Sequence, residues 1–251
     1  MKKLIIAASC ALAMAAGAVQ AKEWKEIRIA FDVPYEPFEF KKPNGELTGF
    51  EVELAEAMCK DLEAKCELVV QSWDGMIPGL LARKFDAIMS SMSITPERAE
   101  KVTFSKPYYN TPGGWFARES VNLDVTDMDA MKGKVVGVQR GTTMDTYVTE
   151  NMSGTVSVKR YTTADDMVLD LEGQRLDVVF VDYPVGEQTL LSRDGFKEIG
   201  KPVKLGEGVG VAMRPRDKDL AEQVNKSLDK LKSDGTYDAI MKKYFKYDIK
   251  M

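Results

Sequence analysis

Ile27-Arg28-Ile29-Ala30-Phe31 carries apolar side chains in the rhythm of a strand, and the run stops at Asp32-Val33-Pro34. Lys42-Pro43-Asn44-Gly45 reads as a turn. From Phe50 to Leu62, the residues Leu54, Ala55, Met58, Cys59 and Leu62 recur at helical spacing. Leu68-Val69-Val70 predicts a second strand, Gly75 to Arg83 a short helix, and Ala87-Ile88-Met89 a third strand. Strands that alternate with helices predict an α/β fold with a parallel sheet.

A similar alternation resumes later. Lys134 to Val138 predicts a buried strand, Thr142 to Met152 a helix, and Val156 with Val158 another strand. Ala164 to Glu172 comes next as a helix and Asp177 to Val181 as a strand. These are two α/β units, separated near Asn110-Thr111-Pro112-Gly113-Gly114, with a second crossing expected near Gly206-Glu207-Gly208. The tail from Asp217 to Phe245 reads as helix, interrupted at Asp234-Gly235. The chain shows no sequence repeat and no low-complexity segment.

The first residues have a different character. Lys2 and Lys3 form a charged start, Leu4 to Ala16 an apolar stretch rich in Ala, and Ala18-Val19-Gln20-Ala21 a run of small residues that suits a signal peptidase. Residues 1–21 are therefore expected to be a secretory signal, with a retained anchor as the alternative. The mature chain would begin near Lys22 and be soluble. The apolar run is shorter than the ~18 residues a membrane span needs. Cys10 falls too early in it, without a preceding leucine, to suit lipid attachment. Removing the signal leaves about 230 residues, enough for one large domain or two modest ones.

The whole chain has a net charge of −4, which becomes −6 once Lys2 and Lys3 are gone. There is no basic stripe, which argues against nucleic acid. A mildly acidic surface suits a protein that meets small cationic solutes.

The mature chain keeps two cysteines, Cys59 and Cys66, seven positions apart in an exported protein. A disulfide is the expected reading, with a metal pair or a reactive thiol as alternatives. Closing so short a loop would stabilise the fold by roughly 2–3 kcal/mol. The chain has no histidine. No Ser-His-Asp or Cys-His arrangement can form, and zinc loses its commonest ligand. An enzyme here would have to work with carboxylates, Lys or Tyr. Neither G-x-G-x-x-G nor G-x-x-x-x-G-K-S/T occurs, so no phosphate loop is present. No metal and no cofactor are expected.

Ligands of open parallel sheets bind outside the carboxyl ends of the strands. Collecting the polar residues at the carboxyl end of each apolar strand is therefore a site search. It returns Asp32, then Ser90-Ser91-Met92-Ser93, then Gln139-Arg140-Gly141-Thr142-Thr143, and finally Asp182. Thr95-Pro96-Glu97-Arg98 fits a helix start, where a cation opposes the helix dipole. An anionic ligand group would compensate Arg98; the alternative is an exposed Arg paired with Glu97 or Glu100. Thr142 and Thr143 enter a helix from a strand, so they either present N–H groups to an anion or serve as an ordinary N-cap. Asp182 either pairs with an ammonium group or caps the next helix. Tyr35 and Trp73 lie just beyond strands; they either face a cation beside Asp32 or cap the core.

Taken together, these segments resemble the amino-acid-binding family of bacterial ABC importers, and within it the lysine/arginine/ornithine- and histidine-binding branch. The resemblance runs through essentially the whole mature chain. It is carried by Ser90-Ser91-Met92-Ser93-Ile94-Thr95-Pro96-Glu97-Arg98, by Phe104-Ser105-Lys106-Pro107-Tyr108-Tyr109, and by Trp73-Asp74-Gly75-Met76-Ile77-Pro78-Gly79-Leu80. Asp234-Gly235-Thr236-Tyr237 and the Cys59/Cys66 spacing match as well.

The resemblance implies a two-lobed periplasmic binding protein of type II, each lobe a mostly parallel sheet flanked by helices, joined by two hinge crossings. Lobe 1 would comprise residues 22–110 with 208–251, and lobe 2 residues 111–207. Arg98 would bind a ligand α-carboxylate, helped by backbone N–H groups at Ser93 and Thr143. Asp182 would take the α-ammonium with Ser91 and the Ser93 hydroxyl. Tyr35 and Trp73 would sandwich the side chain, with Asp32 at its far end. Gln139 stands where the branch often has leucine and Met144 where it often has glutamine, in positions that can alter the side-chain pocket.

The expected function is capture of a cationic amino acid, or a related opine, by lobe closure and its delivery to an inner-membrane ABC permease. The protein is expected to act as a monomer and not as an enzyme. The rival functions are a cyclohexadienyl-type dehydratase, with Asp32 or Glu36 as the acid, and presentation of ligand to a chemoreceptor.

Overall fold

The computed structural model describes residues 24–251. The expected signal segment lies outside the described residues. Strand β1 (Glu26–Phe31) buries Ile27 and Ile29 at its start and all of Ala30-Phe31 at its end, where it enters the interior. β2 (Phe40–Lys41) and β3 (Leu47–Thr48) form a small hairpin around the turn at Lys42–Gly45. Gly49 then takes φ +126°, and any Cβ there would sit 2.1 Å from the Phe38 carbonyl oxygen, so glycine is required where the hairpin meets helix α1 (Phe50–Asp61).

α1 buries Leu54, Ala55, Met58 and Cys59 against β4 (Lys65–Val70), and the Cys59–Cys66 disulfide ties the two elements together. The helix expected from Gly75 to Arg83 is shorter. A tight turn at Trp73–Gly75 leads into α2 (Met76–Leu81), and Arg83 reverses the chain with φ +62°. β5 (Ala87–Ile88), α3 (Pro96–Ala99) and β6 (Thr103–Phe104) come next.

The chain then enters a second sheet with β7 (Gly113–Arg118). β8 (Val135–Gln139), α4 (Thr143–Met152), β9 (Ser157–Tyr161), α5 (Ala164–Glu172) and β10 (Val178–Asp182) continue it in the alternating order expected. α6 (Tyr183–Gly186) and β11 (Phe196–Val203) complete this half. β12 (Ala212–Met213) returns to the first sheet, and α7 (Lys218–Ser233) and α8 (Thr236–Tyr244) pack on α1. Gly235, at φ +84°, makes the break between those two helices.

The sheet orders are β4-β1-β5-β12-β6 and β11-β7-β10-β8-β9. Pairing is parallel along β4-β1-β5 and antiparallel on both sides of β12. In the second sheet it is parallel along β10-β8-β9 and antiparallel on both sides of β7. Each sheet thus has four strands in one direction and one reversed strand, β12 or β7. Both reversed strands come directly after the chain has passed from the other sheet. This is the two-lobed α/β architecture of type II periplasmic binding proteins.

The two passages lie side by side. Tyr108 N–H donates to the Val209 carbonyl at 3.0 Å, and Val209 N–H to the Tyr109 carbonyl at 2.8 Å. Asn110 N–H donates to the Ile249 carbonyl at 3.0 Å, so the C-terminal tail lies along the first passage. Phe38 stacks on Tyr109 while Phe50 meets it edge-on, giving the passage an aromatic footing in the first sheet's core. Trp115 and Phe180 stack at 4.1 Å between centroids in the core of the second.

Candidate functional site

The carboxyl ends of β1 and β5 face those of β8 and β10, and the space between them is a narrow cavity. It is lined by Asp32, Tyr35, Trp73, Ser90, Ser91, Ser93 and Arg98 from the first half, and by Gln139, Thr142, Thr143 and Asp182 from the second. All the residues singled out from the sequence as ligand contacts therefore meet in one place. Glu39 and Met144 line it as well. Met144 stands out in the sequence only as a departure from the branch, and Glu39 not at all.

Arg98 reaches the cavity because Thr95 caps α3, its side chain accepting from Arg98 N–H at 3.3 Å. The guanidinium is not paired with Glu97 or Glu100, the alternative that local sequence allows. It donates to the carbonyls of Ser93 (2.9 Å) and Gly141 (3.2 Å) and lies 5.2 Å from the Trp73 ring centroid. Burial pulls its pKa down to about 10, against the pull of the Asp182 charge in the opposite direction. The Trp73 indole N–H also donates to the Gly141 carbonyl, at 3.1 Å. Trp73 thus bridges the two halves at the rim.

Asp182 occupies the position before α6 but makes no side-chain cap to it, so its capping reading is wrong. Its carboxylate accepts instead from the Tyr35 hydroxyl at 2.5 Å and the Thr111 hydroxyl at 3.0 Å. Burial raises its pKa to about 6, partly offset by those two donors and by Arg98. Thr111 is not among the residues expected at the site; it sits in the first passage between the sheets, where the sequence reads only as a linker.

Asp32 is held at the other acidic locus. Its backbone N–H donates to Ser90 Oγ at 2.8 Å, and its carboxylate accepts from Gln139 Nε2 at 2.6 Å. Burial lifts its pKa to about 6, with the Gln139 donor working against the lift. Gln139 Nε2 donates also to the Thr162 carbonyl at 3.0 Å. Both partners are acceptors, which fixes the amide so that Oε1 is the atom left for the cavity.

Thr142 resolves to the ordinary cap: its hydroxyl accepts from Asp145 N–H at 3.2 Å and donates to the Gln139 carbonyl at 2.8 Å. The Gly141 N–H is taken by Asp145 Oδ2. Thr143 opens α4 and faces the cavity. Glu36 does not line the cavity; its carboxylate accepts from Gln188 at 3.2 Å. Among the described residues, no group of three or more Cys, Asp or Glu side chains is placed to hold a metal ion.

A cavity between two α/β halves, with a guanidinium and two raised-pKa carboxylates on its walls, defines a binding protein for a small polar solute. The chain belongs to the bacterial extracellular solute-binding proteins, family 3, whose sequence profile matches residues 27–247. It is 38% identical to the L-arginine-binding protein of Pseudomonas aeruginosa over 99% of this chain and 98% of that one. It is 36% identical to the lysine/arginine/ornithine-binding periplasmic protein of Escherichia coli, over 99% of each. Among solved structures, an ancestral arginine-binding protein bound to arginine superimposes with a TM-score of 0.84 at 33% identity, covering 89% of this chain and all of that one.

Proposed function

We propose that the protein captures a cationic L-amino acid in the periplasm, closes its two lobes around it, and delivers it to an ABC permease of the inner membrane. The observation that carries this reading is the placement of Arg98 and Asp182 on opposite walls of one cavity. A free amino acid has the complementary pair of charges. Arg98 would take the α-carboxylate through its planar fork, with the Thr143 N–H beside it. Asp182, already oriented by Tyr35 and Thr111, would take the α-ammonium. Asp32 would then receive the distal cation, with Trp73 and Tyr35 flanking the side chain.

Because the two charged partners come from different halves, bound ligand favours the closed arrangement over the open one. The carboxylates serve here as fixed charges for binding and not as acids for catalysis. Glu36, one of the two acids that a dehydratase reading relies on, lies outside the cavity. The L-arginine-, histidine- and lysine/arginine/ornithine-binding relatives support a cationic side chain for this chain too.

Isothermal calorimetry of the purified chain with L-arginine, L-lysine, L-ornithine, L-histidine and L-glutamine tests the proposal. The expected result is tight one-to-one binding of at least one cationic amino acid and weaker binding of glutamine. Tighter binding of glutamine than of all four others would overturn the cationic assignment.

A further inference from the structure

Two glutamates at the cavity, Glu39 in its lining and Glu51 behind it, are not used by the binding scheme. Glu39 and Glu51 are both fully buried, Glu39 on the segment between β1 and β2 and Glu51 in the first turn of α1. Glu51 is richly supplied with donors. Its Oε2 accepts from the Ser91 N–H at 2.6 Å and faces Ser91 Oγ at 3.2 Å, and its Oε1 accepts from the Tyr108 hydroxyl. Glu39 Oε1 accepts from Ser90 Oγ at 2.5 Å, but Glu39 Oε2 is buried with no donor of its own. The two carboxyl groups are held by adjacent residues, Ser90 and Ser91, and each perturbs the other's protonation.

Two neighbouring carboxyls buried away from water cannot both ionise without repelling, so one of them holds a proton. The donors decide which one. Three hydrogen bonds favour the ionised form of Glu51, whereas Glu39 has one. Burial raises both pKa values; the Glu51 charge pushes that of Glu39 well above the usual carboxylate range, while the Tyr108 and Ser91 donors hold back the rise at Glu51. The titratable groups that face the pair are Asp32, Tyr35, Tyr108, Tyr109 and Tyr237, all of them acidic.

The pair grips the loop that ends β5. Ser91 stands at φ +48°, a left-handed conformation that is unfavourable for a serine. Both its N–H and its hydroxyl are directed at Glu51, and Tyr109 donates to the same hydroxyl at 2.8 Å. One residue earlier, Ser90 Oγ links Glu39 to the backbone N–H of Asp32.

We propose that Glu39 carries a proton that it donates to an ionised Glu51, and that this pair is a positioning unit holding Ser90, Ser91 and Asp32 in the shape that receives the ligand. The positioning half of this inference rests on the reading that the cavity binds an amino acid; the proton does not.

Infrared difference spectroscopy on the ligand-free protein tests the proton directly. At about pH 8, Asp32 and Asp182, with pKa values near 6, are ionised and contribute nothing to the C=O band of protonated carboxylic acids. Wild type should show that band and Glu39→Gln should lack it. Absence of the band in wild type, or its survival in Glu39→Gln, would overturn the assignment.

Calorimetry with L-arginine tests the positioning role. Glu39→Gln keeps a neutral donor to Glu51 and an acceptor for Ser90, so its affinity should stay within about threefold of wild type. Glu39→Leu has neither and should lose about tenfold or more. A Glu39→Gln protein that folds but binds tenfold more weakly, or a Glu39→Leu protein that binds like wild type, would refute it. Should wild type bind no L-arginine at all, the ligand reading fails while the infrared band still decides the proton.

Discussion

Gln139 and Asp32 come from different sheets and meet across the cleft at 2.6 Å, the amide Nε2 donating to the carboxylate. The contact gives a buried carboxylate a neutral partner and leaves the amide oxygen facing the ligand. With a neutral amino acid bound, Gln139 can continue to satisfy Asp32. A cationic ligand replaces that donor with a charge. Gln139→Leu should therefore sharpen selectivity: a neutral ligand would leave Asp32 unpaired, at a cost of about 1–3 kcal/mol. Calorimetry should show the arginine-to-glutamine affinity ratio rising by about tenfold or more. An unchanged ratio would mean that Asp32 does not read the distal group.

Arg98 offers a second test of how the charges are used. Arg98→Ala should weaken binding of any cognate amino acid by several kcal/mol, a loss of about a hundredfold or more, because an enclosed α-carboxylate would lose its partner. Arg98→Lys should fall between, since an ammonium cannot supply two parallel donors. Equal affinity in wild type and Arg98→Ala, measured by calorimetry, would exclude the carboxylate role.

Binding should also respond to acid, and burial sets the sign. Asp32 and Asp182 each titrate near pH 6 in the ligand-free protein, above the ordinary range, while a cationic or zwitterionic ligand needs them ionised. Protons and ligand therefore compete. Affinity should be level above about pH 7 and fall by up to about tenfold per carboxylate for each unit below 6. The Tyr35 hydroxyl holds the Asp182 pKa down, so Tyr35→Phe should move the fall to higher pH. A profile flat from pH 5 to 8, or a Tyr35→Phe profile displaced toward acid, would contradict this account.

The disulfide should matter for stability and not for binding. It joins α1 to β4, and neither Cys59 nor Cys66 lines the cavity. Cys59→Ser with Cys66→Ser should cost about 2–3 kcal/mol and lower Tm by about 5–10 °C, with ligand affinity unchanged at 25 °C. Unaltered melting, or a tenfold loss of affinity at 25 °C, would disagree.

Most of the parallel scaffold was legible because its elements bury one face each and so carry a clear period. β1, α1, β4, β8, α4, α5, β10, α7 and α8 fall at or within a few residues of the expected places. The strands that were not foreseen have physical reasons to be unreadable. β6 and β12 pair over only two residues each, too short to show alternation. β7 begins with Gly113-Gly114, which reads as a turn. Those glycines are instead a close-packing requirement, since a Cβ at either would lie 2.7 Å from a ring carbon of Phe180 or Phe116. β11 contains Gly200 at φ +69° and Pro202, and its register slips between Ile199 and Val203.

The site was legible where residues sit at strand ends, because the parallel fold gathers those ends together. Glu39 and Thr111 lie on irregular connections, so only tertiary contacts reveal them. Glu51 left a trace in the sequence: it stands four residues before Ala55 and seven before Met58, a carboxylate on the helix's apolar stripe.

The central claim is that the cavity grips both charges of a free amino acid at once, and a crystal structure of the chain with L-arginine measures it most directly. The account predicts closed lobes, with the ligand α-carboxylate on the Arg98 guanidinium, the α-ammonium on Asp182 and the distal guanidinium at Asp32. A ligand bound with its carboxylate away from Arg98, or lodged outside this cavity, would contradict it.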